Sequence, residues 1–263
     1  MDLQKLCQDV CGVARGAGRF LKEEIHHLQF SDIISKAEND FVTYVDKQSE
    51  KMVVEGLSAL VPDAGFLTEE NTIHIDGREF TWIIDPLDGT TNYIHGVPLY
   101  CVSLALMHRN KIVLGVIYEP NLDECFYAWA GGGAWLNGKP IKVSALSNVG
   151  DSVLATGFPS RDFSHISEFV ELFKALMFDT HGIRRLGSAA VDLAYVACGR
   201  YEGFYEYGLS AWDVAAGSII VQEAGGHVTD FKSDGKYIFG KEIIATNGFI
   251  HKQFCGILSK YFK

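Results

Sequence analysis

The sequence predicts an α/β protein: one compact body over residues 1–263, with an N-terminal half to about 150, a C-terminal half from about 151, and a mixed sheet in each. Three observations predict it. The chain opens on two stretches with helical periodicity. Short apolar runs punctuated by hairpin turns follow. From about residue 150, strand-like and helix-like segments alternate. No repeat, low-complexity tract or linker interrupts this order.

Residues 2–28 place Leu3, Leu6, Val10, Val13, Ala17, Leu21 and Ile25 close to a helical stripe. A second helix is expected from about Asp46 to Leu60, stopped by Val61-Pro62. Between them, SKAENDFVTYVD is polar and turn-like until Phe41. TWIIDP is a continuous apolar run, as a strand covered on both faces requires. LYCVSLALMHRNKIVLGVIYEP gives two strands turning at His108–Lys111. ECFYAWAGGGAWLNGKPIKV gives a further antiparallel pair with Gly131–Gly133 and Asn137-Gly138 as turn signals. Next come a strand near 152–156, helices near 164–177 and 188–198, and the short strand GFYEY. A small-residue helix, WDVAAGSIIVQEAGG, ends at Gly225-Gly226. Strands HVTDF and EIIATN and a helix from about 248 close the chain.

Charge excludes some functions. Acids outnumber bases 33 to 23, a formal charge of −10, so a basic nucleic-acid face is not expected. The same excess repels a phosphorylated ligand unless a local basic patch or bound cations offset it. No run of eighteen apolar residues indicates a membrane span, and MDLQKLCQDV lacks the basic-then-apolar order of a signal peptide. Six scattered cysteines without a CxxC pair read as reduced thiols of a cytoplasmic protein, not as a zinc site. The histidines show no HxxxH, and no serine elbow stands near them, so a Ser–His–Asp route has no support.

The chemistry concentrates in WIIDPLDGTTN, residues 82–92. Alternation along a strand puts residues three apart on opposite faces, but Pro86 disrupts it, so Asp85 and Asp88 converge at the strand end. Converging carboxylates require a proton or a cation between them, and oxygen-only ligation favours Mg²⁺, Mn²⁺ or Ca²⁺. The Leu87 carbonyl offers one more oxygen. A helix beginning at Gly89-Thr90-Thr91 would present free amides to an anion. A bare Asp-Gly is ordinarily a turn with a capping aspartate; the full DPLDGTT string after an apolar strand argues against that here. Glu69-Glu70 is by itself an acidic loop, Asp213 and Asp46 are by themselves helix caps, Lys36 a solvent lysine and Glu206 a strand-edge acid.

Taken together, the segments DFVTYVD, GFLTEEN, WIIDPLDGTTNYIHG, GSAAVDLAYVACGRYEGFYEYGLSAWDVAAGSIIVQEAGG and IIATN resemble the inositol monophosphatase family, in its order and over nearly the whole chain. The resemblance implies a layered α-β-α-β-α sandwich, usually a homodimer, with two or three Mg²⁺ and lithium sensitivity. It gives Glu69, Asp85, Asp88 and Asp213 the role of carboxylate metal ligands, with the Leu87 carbonyl beside them. Gly89 and Thr90 become phosphate-binding amides. Asp46 and Thr90 become the pair that orients the nucleophilic water, and Glu69 is grouped with them. Glu70 and Lys36 fall near the site. Gly187, Ser188 and Ala189 line the alcohol position, which Asp213 also borders; Ser188 stands where threonine is also common. Glu206 matches the acid that accepts hydrogen bonds from inositol hydroxyls. The implied reaction is hydrolysis of myo-inositol monophosphate by direct attack of a metal-activated water. The hairpin near 100–130, expected to be exposed, is the candidate subunit face.

Three other readings compete. DPLDGT superficially matches the DxDGT loop of phosphatases that form an aspartyl phosphate, but there the acids are two residues apart and near the N-terminus. The same scaffold serves fructose-1,6-bisphosphate, 3′-phosphoadenosine 5′-phosphate, histidinol phosphate and NADP; Glu206 favours a polyol. A non-catalytic binding module would usually have lost metal carboxylates, and here Asp46, Glu69, Asp85, Asp88, Thr90 and Asp213 are all present.

Overall fold

The computed structural model describes residues 1–37, 40–71, 73, 77–159 and 162–262; the side chains at 30, 35–37, 40 and 41 are also outside the described set. Helix α1 (Leu3–Glu24) starts at Asp2, whose carboxylate accepts from the Lys5 amide, and buries Leu6, Cys7, Val10, Ala14, Ala17 and Leu21 on one face. Strands β1 (Ile34–Ala37) and β2 (Asp40–Val42) form an antiparallel pair where the sequence reads as polar turn, and α2 spans Tyr44–Leu60.

A seven-stranded sheet follows: β3 (Gly65–Thr68), β4 (Phe80–Asp88), β5 (Cys101–His108), β6 (Lys111–Glu119), β7 (Glu124–Trp129), β8 (Ala134–Leu136) and β9 (Lys139–Ile141), in that spatial order. Only β3 and β4 run parallel. The short helix α3 (Thr90–Ile94) sits between β4 and β5. Two expectations are corrected here. Residues 124–141 make three strands, not a pair, because both glycine-rich turns reverse the chain. The segment near 100–130 is not an exposed face: β5 and β6 are interior strands, buried along most of their length.

The second sheet uses β10 (Val153–Thr156), β11 (Gly182–Arg184), β12 (Gly203–Tyr207), β13 (His227–Thr229) and β14 (Glu242–Thr246), ordered β11-β10-β12-β14-β13. It is mixed: β10 is parallel to β11 and β12, and β14 antiparallel to its neighbours. Helices α4 (Ile166–Asp179), α5 (Ala189–Ala197), α6 (Ala211–Glu223) and α7 (His251–Leu258) complete the chain. Strand β11 carried no sequence signal beyond Gly182-Ile183.

Three apolar cores give the layers. One joins α1 and α2 to the large sheet, one joins both sheets to α5 and α6, and one joins the small sheet to α4 and α7. The order is α-β-α-β-α. The middle layer is apolar on all sides, as burial between two sheets demands. Its small residues permit close approach: a Cβ at Gly115 on β6 would lie 2.7 Å from the Ala216 carbonyl oxygen of α6. No helix among the described residues is long and apolar enough to cross a membrane.

Candidate active site

Strand β4 solves the phase problem of Asp85 and Asp88 with one extra residue. Asp85 pairs with Ser103 and Asp88 with Cys101, three steps on β4 against two on β5. This bulge turns Asp88 back to the face that Asp85 shares with Ile83, toward α5 and α6. The Ser49 hydroxyl donates to the Pro86 carbonyl at 3.0 Å and ties the bulge to α2. Asp85 accepts from the Leu87 amide at 3.0 Å.

Gly89 follows at φ +97°, and a Cβ there would meet backbone atoms of Leu99, Tyr100 and Gly187 at 3.2–3.3 Å. Glycine is therefore required for α3 to start at Thr90 beside the acids. The Thr90 hydroxyl lies 3.0 Å from the Leu87 carbonyl oxygen and 3.3 Å from Asp46 Oδ1. The N-cap of α2 is Thr43, not Asp46; Asp46 stands at the third helical position and completes the capping box, its Oδ2 accepting from the Thr43 amide at 2.8 Å and hydroxyl at 2.7 Å. Its two carboxylate oxygens divide the work: one completes the box of α2 and the other faces Thr90. At α6 the N-cap is likewise another residue, Ser210; Asp213 is the capping-box acid that accepts from the Ser210 amide at 2.6 Å, while it lines the same cavity as Asp85.

That cavity, about 180 Å³, is bordered by Glu69, Asp85, Leu87, Asp88, Gly89, Thr90, Gly187, Ser188, Ala189, Glu206 and Asp213. Asp46 stands behind Thr90. Glu70 is not part of the wall; its amide donates to Glu50 at 2.9 Å. Lys36 belongs to β1, and its side chain lies outside the described residues. Asp88 joins the two halves of the chain: its Oδ2 accepts from the Ser188 hydroxyl at 2.7 Å and the Ala190 amide at 2.8 Å, at the start of α5. Asn92 completes the join by donating to the Leu99 and Leu186 carbonyls.

Burial holds Asp85 well above the usual carboxylate range, reinforced by the charges of Glu69, Asp88 and Asp213 and by a hydrogen bond shared with Glu69. Asp88 is raised by burial as well, against the opposing pull of its Ser188 and Ala190 donors. Glu206 is raised by burial and by the charges of Asp213 and Asp88, with Arg185 opposing. Two carboxyl groups sharing one hydrogen bond need a proton or a cation between them, and the donor set is all oxygen, which suits a hard divalent ion. Among the described residues, no three His, Cys, Asp or Glu groups stand in a grouping that could hold a metal ion as they are placed. The acids are spread along the walls of an open cavity, with the Leu87 carbonyl between two of them.

Three contributors were missed in the sequence. Glu50, fully buried on α2, accepts from the Thr68 hydroxyl and the Glu70 amide and so orients the turn that carries Glu69. Its signal was weak: one acid on the inner face of an amphipathic helix. Arg185, two residues before Gly187, borders the cavity and stacks its guanidinium over Phe158 at 5.4 Å. Asp192 also borders the cavity, hidden in the apolar run of α5.

Both the sequence and the fold match known proteins. The model of the inositol monophosphatase family matches residues 2–262. The chain is 41% identical over 238 residues to an inositol-1-monophosphatase of Mesorhizobium japonicum, covering 88% of this chain and 90% of that one. It is 39% identical over 250 residues to a Pseudomonas aeruginosa protein named Nus factor SuhB, covering 93% and 92%. Among solved structures it resembles the extragenic suppressor protein suhB from Bartonella henselae, with TM-score 0.90, 41% identity, and 96% and 98% of the two chains covered. The inositol monophosphatase from Anabaena gives 0.87 at 39% identity, covering 99% and 98%. The chain belongs to the inositol monophosphatase family.

Proposed function

We propose that this chain is a Mg²⁺-dependent phosphomonoesterase that hydrolyses myo-inositol monophosphate to inositol and phosphate. The observation that carries the reading is the bulge in β4, which puts Asp85 and Asp88 on one wall beside the first turn of α3. Glu69, Asp85, Asp88, Asp213 and the Leu87 carbonyl are the proposed ligands of two or three Mg²⁺. Bound there, Mg²⁺ supplies charge neutralisation for the phosphate and acidifies the attacking water.

The remaining work falls to the chain. The first-turn amides at Gly89 and Thr90 lack helical acceptors by construction and receive phosphate oxygens. Thr90 has one hydroxyl proton; giving it to Asp46 leaves its lone pairs to hold and orient the water that attacks phosphorus. Glu206 accepts hydrogen bonds from hydroxyls of the polyol, and Gly187, Ser188 and Ala189 bound its pocket. Glu50 keeps Glu69 in place. A homodimeric, cytoplasmic enzyme sensitive to lithium is the form that goes with this reading.

The test is a comparison of kcat/KM under Mg²⁺ for inositol-1-phosphate, fructose-1,6-bisphosphate, 3′-phosphoadenosine 5′-phosphate, histidinol phosphate and NADP, with and without Li⁺. Inositol-1-phosphate is expected to lead. A value about tenfold or more below any other overturns the substrate assignment. A phosphoryl-aspartate isolated after acid quench would instead overturn direct attack by water.

A further inference from the structure

Asp192 has no task in the mechanism above. It follows Ala189, Ala190 and Val191 and precedes Leu193, in a helix buried on every side. A Val or Leu there would satisfy packing, and replacing a buried charged group by an apolar one is often neutral or stabilising. Yet Asp192 is only 1% exposed, it borders the cavity, and among the described residues its Oδ1 has no hydrogen-bond partner. Buried polar atoms in folded proteins are nearly always bonded, so an exception at the wall of a ligand cavity calls for a partner that the ligand brings.

The surroundings say which partner. The charges acting on Asp192 are those of Glu206 from β12, Asp88 from β4 and Arg185 from the loop before α5. Glu206 reaches this place because residue 157 is glycine; its carboxylate leaves no room for a Cβ there. Two acids from different elements therefore border one cavity, with the charge of Glu206 acting on Asp192. Carboxylate oxygens accept hydrogen bonds, and a polyol offers donors on adjacent carbons. The last torsion of an aspartate is broad and two-fold, so a modest rotation turns either oxygen into the cavity.

We propose that Asp192 is a specificity-determining residue that works with Glu206 to receive neighbouring hydroxyls of the alcohol part of the substrate. This rests on the reading of the cavity as a polyol-phosphate site and adds a second carboxylate to the one that the family pattern supplies. A site built to bond hydroxyls discriminates strongly against esters that lack them, since its buried acceptors are then left unpaired.

The experiment compares wild type with Asp192→Asn on inositol-1-phosphate and on p-nitrophenyl phosphate, under the same Mg²⁺ and with circular dichroism as the check of folding. The expected result is a fall of about fivefold or more in the ratio of kcat/KM for inositol-1-phosphate to that for p-nitrophenyl phosphate, carried mainly by KM for the polyol. A smaller change in that ratio, including a parallel loss on both substrates, assigns Asp192 a structural role and overturns the proposal. If Asp192→Asn does not fold, Asp192→Ser is measured against the same criterion. A wild-type protein that turns over p-nitrophenyl phosphate but not inositol-1-phosphate refutes the polyol reading, and Asp192 as a polyol contact with it.

Discussion

Asp46 does two jobs with its two oxygens, and the jobs have different readouts. Its Oδ2 holds the Thr43 amide and hydroxyl at the start of α2, and its Oδ1 faces the Thr90 hydroxyl at 3.3 Å. Asp46→Asn weakens the cap and loses the acceptor for the Thr90 proton. Denaturation should show a loss of about 1 kcal/mol, and phosphate release a fall in kcat of about 10²–10⁴-fold. Thr90→Ala removes only the second function, because the Thr90 hydroxyl takes no part in the α2 cap. Its kcat should fall by a similar factor while its denaturation midpoint stays close to wild type. A Thr90→Ala enzyme with near-normal kcat would leave the water without its proposed holder.

At the scale of elements, much of the fold was legible because apolar runs and turn residues have direct geometric consequences. TWIIDP, the turn after His108 and the small-residue helix ending at Gly225-Gly226 were all readable in this way. The β1–β2 pair was not, since its strands have only four and three residues, and their pairing leaves Ile34 exposed while Val42 is buried, a tertiary matter. Strands β8 and β9 have three residues each, too few to display alternation. In the site, the Asp85–Asp88 convergence was readable from Pro86, although the register that produces it was not. Asp192 was hidden because a lone acid in an apolar helix carries no periodic signal. Helix α7 supplies an element-scale prediction. His251 opens it, bonded to Thr246 at 3.0 Å, and burial, helped by the charge of His227, pushes its pKa down to about 4. The unfolded chain binds that proton near the ordinary value of about 6.5. Stability is thus fully present above about pH 6.5 and declines as pH falls toward 4. His251→Gln should flatten the fall of Tm between about pH 7 and pH 5; an unchanged slope would remove His251 from the acid sensitivity.

At the scale of the whole molecule, the cavity is where the two halves of the chain meet. The large sheet supplies Asp85 and Asp88, the turn after β3 supplies Glu69, and the second half supplies Glu206, Asp213 and the start of α5. Cations shared by these groups should bind the folded chain only, offset part of the −10 charge locally, and raise Tm. Saturation to about a hundred times Kd corresponds to about 2.7 kcal/mol. The sign of the pH dependence follows from Asp85. Its folded pKa is raised, so the stability linked to its proton is present at low pH and lost as pH climbs through that raised value. The Mg²⁺-induced gain in Tm should therefore be larger at about pH 8 than at about pH 5; equal gains would argue against binding at these acids. The central claim is that the acids joined by the β4 bulge hold the cations that hydrolysis requires. The most direct test is phosphate release from inositol-1-phosphate across a Mg²⁺ titration, for wild type and for Asp85→Asn with matching circular dichroism. Wild type should be silent under chelation and recover with Mg²⁺, while Asp85→Asn stays about a thousandfold lower throughout. Release that is independent of Mg²⁺, or an Asp85→Asn variant that keeps the wild-type rate, would contradict it.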